Sequence, residues 1–158
     1  MSKDNVPSIK EALQKCFETG EYADMTIKCS GRTWRVHKVV VCSQVPFFAK
    51  AVTGEWKEAR AFYIDLVCAD PSAVDAMLRW LYYGTLEVTE SKPSDMNTAK
   101  FLARSYKIAD KYLLADLRTT VSQKLKAQLI SDGWDEEDQL ALVGGLSAGA
   151  DEHSKAAP

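Results

Sequence analysis

The sequence has no long hydrophobic run, and its charge is close to balanced. The longest unbroken aliphatic run is only Val39 to Val41, so we expect no membrane-spanning segment and no membrane partner. Twenty Lys and Arg against 22 Asp and Glu give a net charge of −2, without the basic excess that nucleic-acid binding requires. The first residues also lack the apolar segment of a secretory signal. We therefore expect an intracellular protein, in the nucleus, the cytoplasm or both.

Closely spaced cysteines are also lacking, and histidine is scarce. Cys16, Cys29, Cys42 and Cys68 form no C-x-x-C pair, and His37 is the only histidine outside the C-terminal tail. This spacing predicts no metal site, and it is typical of reduced cysteines in a protein interior. The length of 158 residues and the apolar fraction of 46% predict one folded domain with its own core.

The first predicted element is a helix within residues 1–20. Ser8 and Glu11 have the spacing of a capping box, and Gly20 supplies a C-terminal stop. Periodicity leaves two interpretations open: the apolar face of this helix packs on its own domain, or it packs against a second subunit as a dimer element. The apolar face consists of Ile9, Leu13, Cys16 and Phe17.

A β-hairpin is predicted next. Apolar and polar residues alternate on both sides of Ser30 and Gly31, which indicates two antiparallel strands joined by a tight turn. Asp24 immediately precedes the first strand, and His37 and Lys38 follow the second. Because the ends of paired antiparallel strands lie side by side, we expect Asp24 to lie beside His37 and Lys38.

The stretch from Val36 to Phe48 forms the centre of the predicted fold. Its dense apolar run is interrupted by Ser43 and Pro46, a pattern that predicts two short helices joined by a break. His37 lies where the preceding strand enters the first of these helices. We expect structural roles for His37 and Ser43, with the His37 ring satisfying a hydrogen bond at the junction.

The remaining pattern predicts one more strand and one more helix. Apolar and polar residues alternate around Ile64, which indicates the strand. Asp70 followed by Pro71 combines an N-cap acceptor with a proline at the first helical position, and Gly84 closes the helix.

The C-terminal half is predicted to be mostly helical. Leu86 and Val88 suggest a short further strand, residues 89–97 read as a surface loop, and two amphipathic helices follow. Early strands followed by helices predict an α+β fold, with a small sheet flanked by helices. The predicted segments are an N-terminal helix in 1–20, a domain in 21–130, a marginal acidic helix in 131–143 and a disordered tail in 144–158.

An ordered set of motifs in this chain resembles the signature of BTB/POZ domains. The match covers about residues 22–129, in the order of the family. The resemblance, which is to the short proteins of fungal type, implies a small mixed sheet flanked by a cluster of helices and a non-enzymatic protein-interaction domain without a cofactor. The motifs are Tyr22-Ala23-Asp24-Met25-Thr26-Ile27, Val36-His37-Lys38, Ser43-x-x-Pro46-Phe47-Phe48, Ile64-Asp65-Leu66, Leu81-Tyr82-Tyr83-Gly84 and Ile108-Ala109-Asp110-Lys111-Tyr112.

The resemblance implies that the protein's first partner is a second copy of itself. In dimeric members the N-terminal helix packs across the two-fold axis, so its apolar face becomes the expected dimer interface. In some members the positions that match Asp24 and Lys38 form a charged pocket near that interface.

A cullin scaffold is the alternative partner that the resemblance implies. Adaptor members dock a cullin within a ubiquitin ligase, and many carry a hydrophobic-x-acid motif at the start of a helix. Phe101 occupies that start here and is the expected cullin contact. Ala103 stands where the acid is expected, which favours the homodimer over the adaptor.

An enzyme that uses His37 with Cys42 or Ser43 is the hypothesis from another class. Nucleophilic catalysis needs a base oriented by a third group together with an oxyanion site. No glycine-rich turn near these residues supplies such a site. We therefore predict no enzymatic activity.

Overall fold

The computed structural model describes residues 5–54, 63–67 and 69–148. The chain divides into two compact units. The first comprises Met1–Cys68 with Leu78–Thr85, and the second comprises Ala69–Met77 with Leu86–Pro158. Within the described residues, no helix is both long and apolar enough to cross a bilayer.

Helix α1 (Ile9–Thr19) opens the first unit, and its capping box is confirmed. The Ser8 hydroxyl oxygen accepts a hydrogen bond from the Glu11 N–H at 3.3 Å, and the Glu11 carboxylate accepts one from the Ser8 N–H at 2.8 Å. Gly20 ends the helix with φ of 74°, in the left-handed region that favours glycine. These two local caps set where α1 begins and ends.

A three-stranded mixed sheet follows. β1 (Met25–Cys29) and β2 (Arg32–Val36) pair antiparallel, with Met25 opposite Val36. β3 (Tyr63–Asp65) pairs parallel with β1, which gives the strand order β2-β1-β3. The predicted α+β fold with a small mixed sheet is therefore confirmed.

The two predicted short helices are present as α2 (Lys38–Gln44) and α3 (Pro46–Thr53). Pro46 occupies the first turn of α3, where a backbone N–H has no acceptor within the helix. A proline there therefore loses no helical hydrogen bond. The two helices contribute several fully buried side chains to the first unit, so this stretch is a centre of its core. Those side chains are Val41, Val45 and Phe48, each with no exposed surface.

Helix α4 (Pro71–Tyr83) begins at Asp70 and ends at Gly84, as predicted. The Asp70 carboxylate accepts hydrogen bonds from the N–H groups of Ser72 and Ala73, at 3.0 and 3.2 Å, and contacts the Arg104 guanidinium. Partial burial acts to raise the pKa of Asp70, but the hydrogen bonds and the Arg104 charge outweigh it and lower this pKa below its ordinary value. Asp70 therefore caps the helix as an ionised group.

The described part of the second unit is helical, with α5 (Val88–Ser91), α6 (Thr98–Lys111), α7 (Ala115–Ser131) and α8 (Glu136–Ala148). Asn97 caps α6 by accepting a hydrogen bond from the Lys100 N–H. The apolar stripe predicted from Leu114 to Leu129 is buried, with Leu114 just before α7 9% exposed and the members within α7 at most 1% exposed. They are Leu117, Val121, Leu125 and Leu129.

Two local predictions differ from the structure. Leu86 is buried outside any strand, and Val88 begins α5, whose single turn is closed by the Lys92 N–H donating to the Val88 carbonyl. The predicted strand and part of the predicted loop are therefore a helical turn, because two apolar residues at this spacing fit either structure.

The last helix also begins and ends later in the chain than predicted. Asp135 accepts a hydrogen bond from the Asp138 N–H at 2.8 Å and starts α8, which continues through Gly144 and Gly145 to Ala148. Residues 144–148, which we assigned to a disordered tail, are thus helical. The remainder of the predicted tail, 149–158, lies outside the described residues.

Candidate functional site

His37 is buried where β2 enters α2, and both of its ring nitrogens are engaged. Nε2 lies 2.6 Å from the carbonyl oxygen of Glu21, and Nδ1 lies 2.8 Å from the Tyr82 hydroxyl oxygen. A carbonyl oxygen only accepts hydrogen bonds, so Nε2 carries the proton. In the neutral ring Nδ1 is then an acceptor. This junction is the predicted location of His37. The ring links the junction to the segments that contain Glu21 and Tyr82, both in the first unit.

Tyr82 completes this arrangement from the C-terminal end of α4. Its hydroxyl oxygen accepts the backbone N–H of His37 at 2.8 Å, and its own proton can then be donated to Nδ1 of the same residue. Only 5% of the Tyr82 residue is exposed. Burial raises the pKa of Tyr82 to about 12, with the nearby Asp24 charge adding to the shift.

The C-terminal end of α1 contacts Tyr82 and the next residue, Tyr83. The Phe17 ring stacks on Tyr82 with 4.4 Å between ring centroids, and it contacts Tyr83 edge-on at 6.4 Å. The Tyr83 hydroxyl donates to the Glu18 carboxylate at 2.6 Å. Of the two interpretations of the α1 stripe, packing on its own unit therefore holds at the Phe17 end.

The N-terminal end of the same stripe is open. Ile9 is 81% exposed, and Val6 just before the helix is 83% exposed. Leu13 and Cys16 between the two ends are half-buried, and no residue of α1 is fully buried. The four residues expected at a dimer interface therefore form one stripe that passes from a packed end at Phe17 to an exposed end at Ile9.

Asp24 and Lys38 are brought together, as the hairpin geometry predicts. The Lys38 backbone N–H donates a hydrogen bond to the Asp24 carboxylate, at 2.7 Å. This N–H belongs to the first turn of α2, where backbone donors lack helical partners. Asp24 thus caps α2 from a distant point in the sequence and fixes how the hairpin meets the helix.

An exposed apolar surface on α2 and α3 was missed by the sequence reasoning. Val39 is 74% exposed and Phe47 is 47% exposed, although each is followed by a buried apolar residue. Successive helical residues point about 100° apart, so one member of the Val39–Val41 run must face away from the core. The signal was present in that run, but periodicity over so short a helix does not identify which valine is outside.

Ser43 and Cys42 occupy the last turn of α2. The Ser43 hydroxyl donates to the Val39 carbonyl at 2.5 Å, and the helix continues through Gln44 instead of stopping at Ser43. Burial raises the pKa of the Cys42 thiol, with Asp24 adding to this and Lys38 opposing it. The recorded partners of the His37 ring are Glu21 and Tyr82, so the ring does not activate this thiol.

The prediction that Phe101 is a surface anchor for a cullin is wrong. Phe101 has no exposed surface in α6 and is among the largest fully buried side chains. As the fourth residue of a helix with an apolar face it follows the stripe that includes Leu102, Ser105 and Ile108, all of them buried. A partner at the start of α6 would have to contact other residues.

No metal centre can be assigned within residues 5–54, 63–67 and 69–148. In that part of the chain, no three or more His, Cys, Asp or Glu side chains are grouped so that they could hold an ion. Cys16, Cys29 and Cys42 are free thiols there, and Cys68 lies outside the described residues.

Replacing Tyr82 with phenylalanine is expected to lower the free energy of unfolding by about 1–3 kcal/mol. The substitution keeps the ring that stacks on Phe17 but leaves the buried His37 N–H and Nδ1 without a partner. Chemical denaturation followed by circular dichroism measures this loss. Tyr83→Phe is the matched control: it removes the exposed hydrogen bond to Glu18, and we expect a loss below about 1 kcal/mol. Equal losses in the two variants would contradict the assigned role of the Tyr82 hydroxyl.

The raised pKa of Tyr82 also predicts how stability depends on alkaline pH. A tyrosine whose pKa rises on folding from about 10 to about 12 contributes stability that is complete below pH 10 and is lost as the pH rises through 12. We therefore expect the midpoint of denaturation to fall between pH 10 and pH 12, and to fall less in Tyr82→Phe. A Tyr82→Phe variant with an unchanged alkaline slope would show that other groups cause it.

Comparison with known proteins assigns this architecture to a family. A family model described as "BTB/POZ domain" matches residues 13–129. Kelch repeat and BTB domain-containing protein 4 of Homo sapiens is 29% identical over 105 residues, which cover 66% of this chain and 18% of that protein. Kelch-like protein 17 of Mus musculus is 28% identical over 109 residues, covering 67% of this chain and 17% of that protein.

A solved structure supports the fold independently. The BTB domain of zebrafish PATZ1 superposes with a TM-score of 0.57 at 12% sequence identity, covering 75% of this chain and 88% of that chain. The chain spans less than a fifth of the length of the curated relatives described above.

Proposed function

We propose that this chain, which belongs to the BTB/POZ domain family, forms a homodimer through α1 and acts in that form as a protein-interaction module. Domains of this family are protein-interaction modules and are generally not enzymes. The observation that carries the proposal is the open end of the α1 stripe, where Val6 and Ile9 are more than 80% exposed. Covering apolar surface is favourable by roughly 25 cal/mol per Å².

The exposed apolar surfaces of the first unit favour a second copy of the chain as the partner. A two-fold contact uses the same surface on both copies, so this surface must be complementary to itself. The first unit offers the α1 stripe and, separately, the exposed Val39 and Phe47 surface of α2 and α3. A stable homodimer buries on the order of 1,200–2,000 Å² or more, which one helical stripe alone does not provide. We therefore propose that both surfaces take part.

Asp24 and Lys38 have a supporting role in this proposal. The Asp24 carboxylate holds the first turn of α2, the turn that presents Val39. We propose that these two residues form a charged pocket beside the interface, and that their main effect is on the geometry of α2.

The mass of the full chain in solution tests the proposal. Sedimentation equilibrium over a range of concentrations is expected to give about twice the chain mass of 17.5 kDa. A particle of one chain mass at every concentration would contradict the homodimer and leave the interaction module to act as a monomer.

A cullin adaptor is the second candidate, and the similarity to Kelch repeat and BTB domain-containing proteins is what favours it. The burial of Phe101 and the absence of an acid at Ala103 oppose it. Binding of the purified chain to a cullin N-terminal domain, measured by calorimetry, separates the two candidates. Binding that survives on a monomeric variant would favour the adaptor, and no binding would favour the dimerising module alone.

A further inference from the structure

The sheet of the first unit has an open edge along β2. In the order β2-β1-β3, β2 lies at the end of the sheet. The Lys28 carbonyl of β1 accepts the Leu66 N–H, so the backbone groups of Lys28 face β3 and not β2. Two residues opposite each other in an antiparallel pair either exchange both hydrogen bonds or both face outward. Thr33 is opposite Lys28, and its N–H and C=O therefore face away from β1.

The outward backbone groups of β2 form a short row. Arg35 is two residues beyond Thr33, so its N–H and C=O face the same way. Within residues 5–54, 63–67 and 69–148, the backbone groups of Thr33 and Arg35 have no hydrogen-bond partner on this side, and both residues are exposed. Exposed donors and acceptors along an edge strand are a template on which one more strand can pair.

The charge of the hairpin indicates which kind of strand fits this edge. Residues 25–36 contain Lys28, Arg32 and Arg35 but no Asp or Glu, in a chain whose net charge is −2. Lys28 Nζ lies over the Tyr63 ring, 4.1 Å from its centre. In the part of the chain that the structure describes, neither Lys28 nor Arg35 has a carboxylate partner. Because these two side chains share the outer face of the sheet, that face carries positive charge that no acid neutralises.

A cavity of about 460 Å³ lies at the turn end of the same edge. Its lining includes Arg32 and Thr33 of β2, together with Lys28 and Asp65. Two cations against one acid leave this lining positive. The cavity therefore gives room for an acidic side chain at the point where an added strand would pass the turn.

We propose that the β2 edge binds an extended acidic segment of a partner protein, which adds a fourth strand to the sheet and places its carboxylates on the face that carries Lys28 and Arg35. Main-chain hydrogen bonds to Thr33 and Arg35 would hold the segment, and the charges would select it. The site uses no residue of the α1 stripe. The proposal therefore goes beyond the proposed function and does not depend on the homodimer.

A second copy of β2 is a poor occupant of this edge. Pairing β2 with β2 of another copy would place Arg32 and Arg35 of both copies on adjacent strands. Like charges on neighbouring strands are unfavourable, and charged residues on an edge strand oppose pairing between identical edges. An acidic segment meets the same arginines with opposite charge.

A synthetic peptide of alternating Glu and Val, about seven residues long with blocked ends, tests the proposal on the full chain. Fluorescence anisotropy of the labelled peptide is expected to show saturable binding, on the order of 10-fold tighter than that of the same peptide with Lys in place of Glu. Amide hydrogen exchange measured by NMR should show that the bound Glu peptide protects the Thr33 and Arg35 amides. No binding, or binding that leaves both amides unprotected, would overturn the added strand.

Thr33→Pro tests the backbone pairing. This variant removes an N–H that the added strand needs, whereas β1 loses no hydrogen bond, and proline is tolerated in an edge strand where its nitrogen faces solvent. We expect binding of the Glu peptide to fall on the order of 10-fold or more, with an unchanged circular dichroism spectrum. Unchanged binding in a folded Thr33→Pro variant would contradict the proposal. If this variant does not fold, the amide protection in the wild-type chain still decides it.

Arg35→Glu tests the charge selection. We expect it to weaken binding of the Glu peptide on the order of 10-fold and to strengthen binding of the Lys peptide. Lys126→Glu is the matched control, because it makes the same change of charge at an exposed position of α7. It should leave the binding of both peptides unchanged. Equal effects of the two variants would show that net charge alone attracts the peptide, and the site on β2 would be refuted.

Discussion

Replacing Phe48 with alanine is expected to lower the free energy of unfolding by about 3–5 kcal/mol. Phe48 lies in the first turn of α3 with no exposed surface, and Val41 and Val45 of the same stretch are also fully buried. Removing the ring loses the favourable free energy of transferring it from water to the core. It also leaves a cavity that a close-packed core closes only in part. Urea denaturation monitored by circular dichroism measures the loss.

Phe47→Ala is the matched control, because it removes the same atoms from the neighbouring residue. Phe47 is 47% exposed, so we expect a loss of less than about 2 kcal/mol, most of it from buried ring area and from the edge-on contact with Phe48. Because Phe47 lies on the proposed dimer surface, both variants are best compared at concentrations at which the chain is monomeric. A Phe47→Ala loss as large as that of Phe48→Ala would contradict the burial of Phe48.

Features defined by neighbouring residues could be predicted from the sequence. The Ser8 and Glu11 capping box, the left-handed Gly20, and the Asp70 start of α4 each depend on contacts within a few residues. The hairpin register follows from alternation and a two-residue turn, and it places Asp24 beside Lys38 without any knowledge of the rest of the fold. These features depend on residues close together in the chain, so a single sequence is sufficient to predict them.

Features that depend on distant partners could not be predicted in the same way. The expected hydrogen bond of His37 is present, but its partner Tyr82 is 45 positions away, and nothing in the local pattern selects it. The burial of Phe101 could not be predicted either, because a motif gives the position of a residue in the sequence and not its exposure. Gly144 and Gly145, at which the predicted disordered tail begins, do not end α8, since a glycine in a helix costs only about 1 kcal/mol relative to alanine.

The candidate interface shows the same division between local pattern and tertiary packing. The α1 stripe was predicted residue by residue, but its split into a packed end at Phe17 and an open end at Ile9 depends on where Tyr82 lies. That split matters for function. It means that α1 can be attached to its own unit and still present apolar surface to a partner.

Replacing Ile9 with aspartate is expected to convert the proposed dimer to monomers. Burying a carboxylate without a partner costs at least about 2 kcal/mol, and a two-fold interface contains the substitution twice, so we expect dimerisation to weaken by about 4 kcal/mol, or roughly 1,000-fold. Sedimentation equilibrium measures the change. The monomer itself should remain folded, because Ile9 is 81% exposed and an acid in the first turn of a helix is favourable.

Gln14→Asp provides the control with the same change of charge on the same helix. Gln14 lies outside the apolar stripe, so this variant should remain a dimer, whereas Leu13→Asp should dissociate like Ile9→Asp. Circular dichroism of all three variants separates dissociation from unfolding. If Ile9→Asp and Leu13→Asp dimerise as tightly as the wild-type chain, the α1 stripe is not the interface. If Gln14→Asp dissociates as well, added negative charge alone explains the effect, and the apolar contact is not supported.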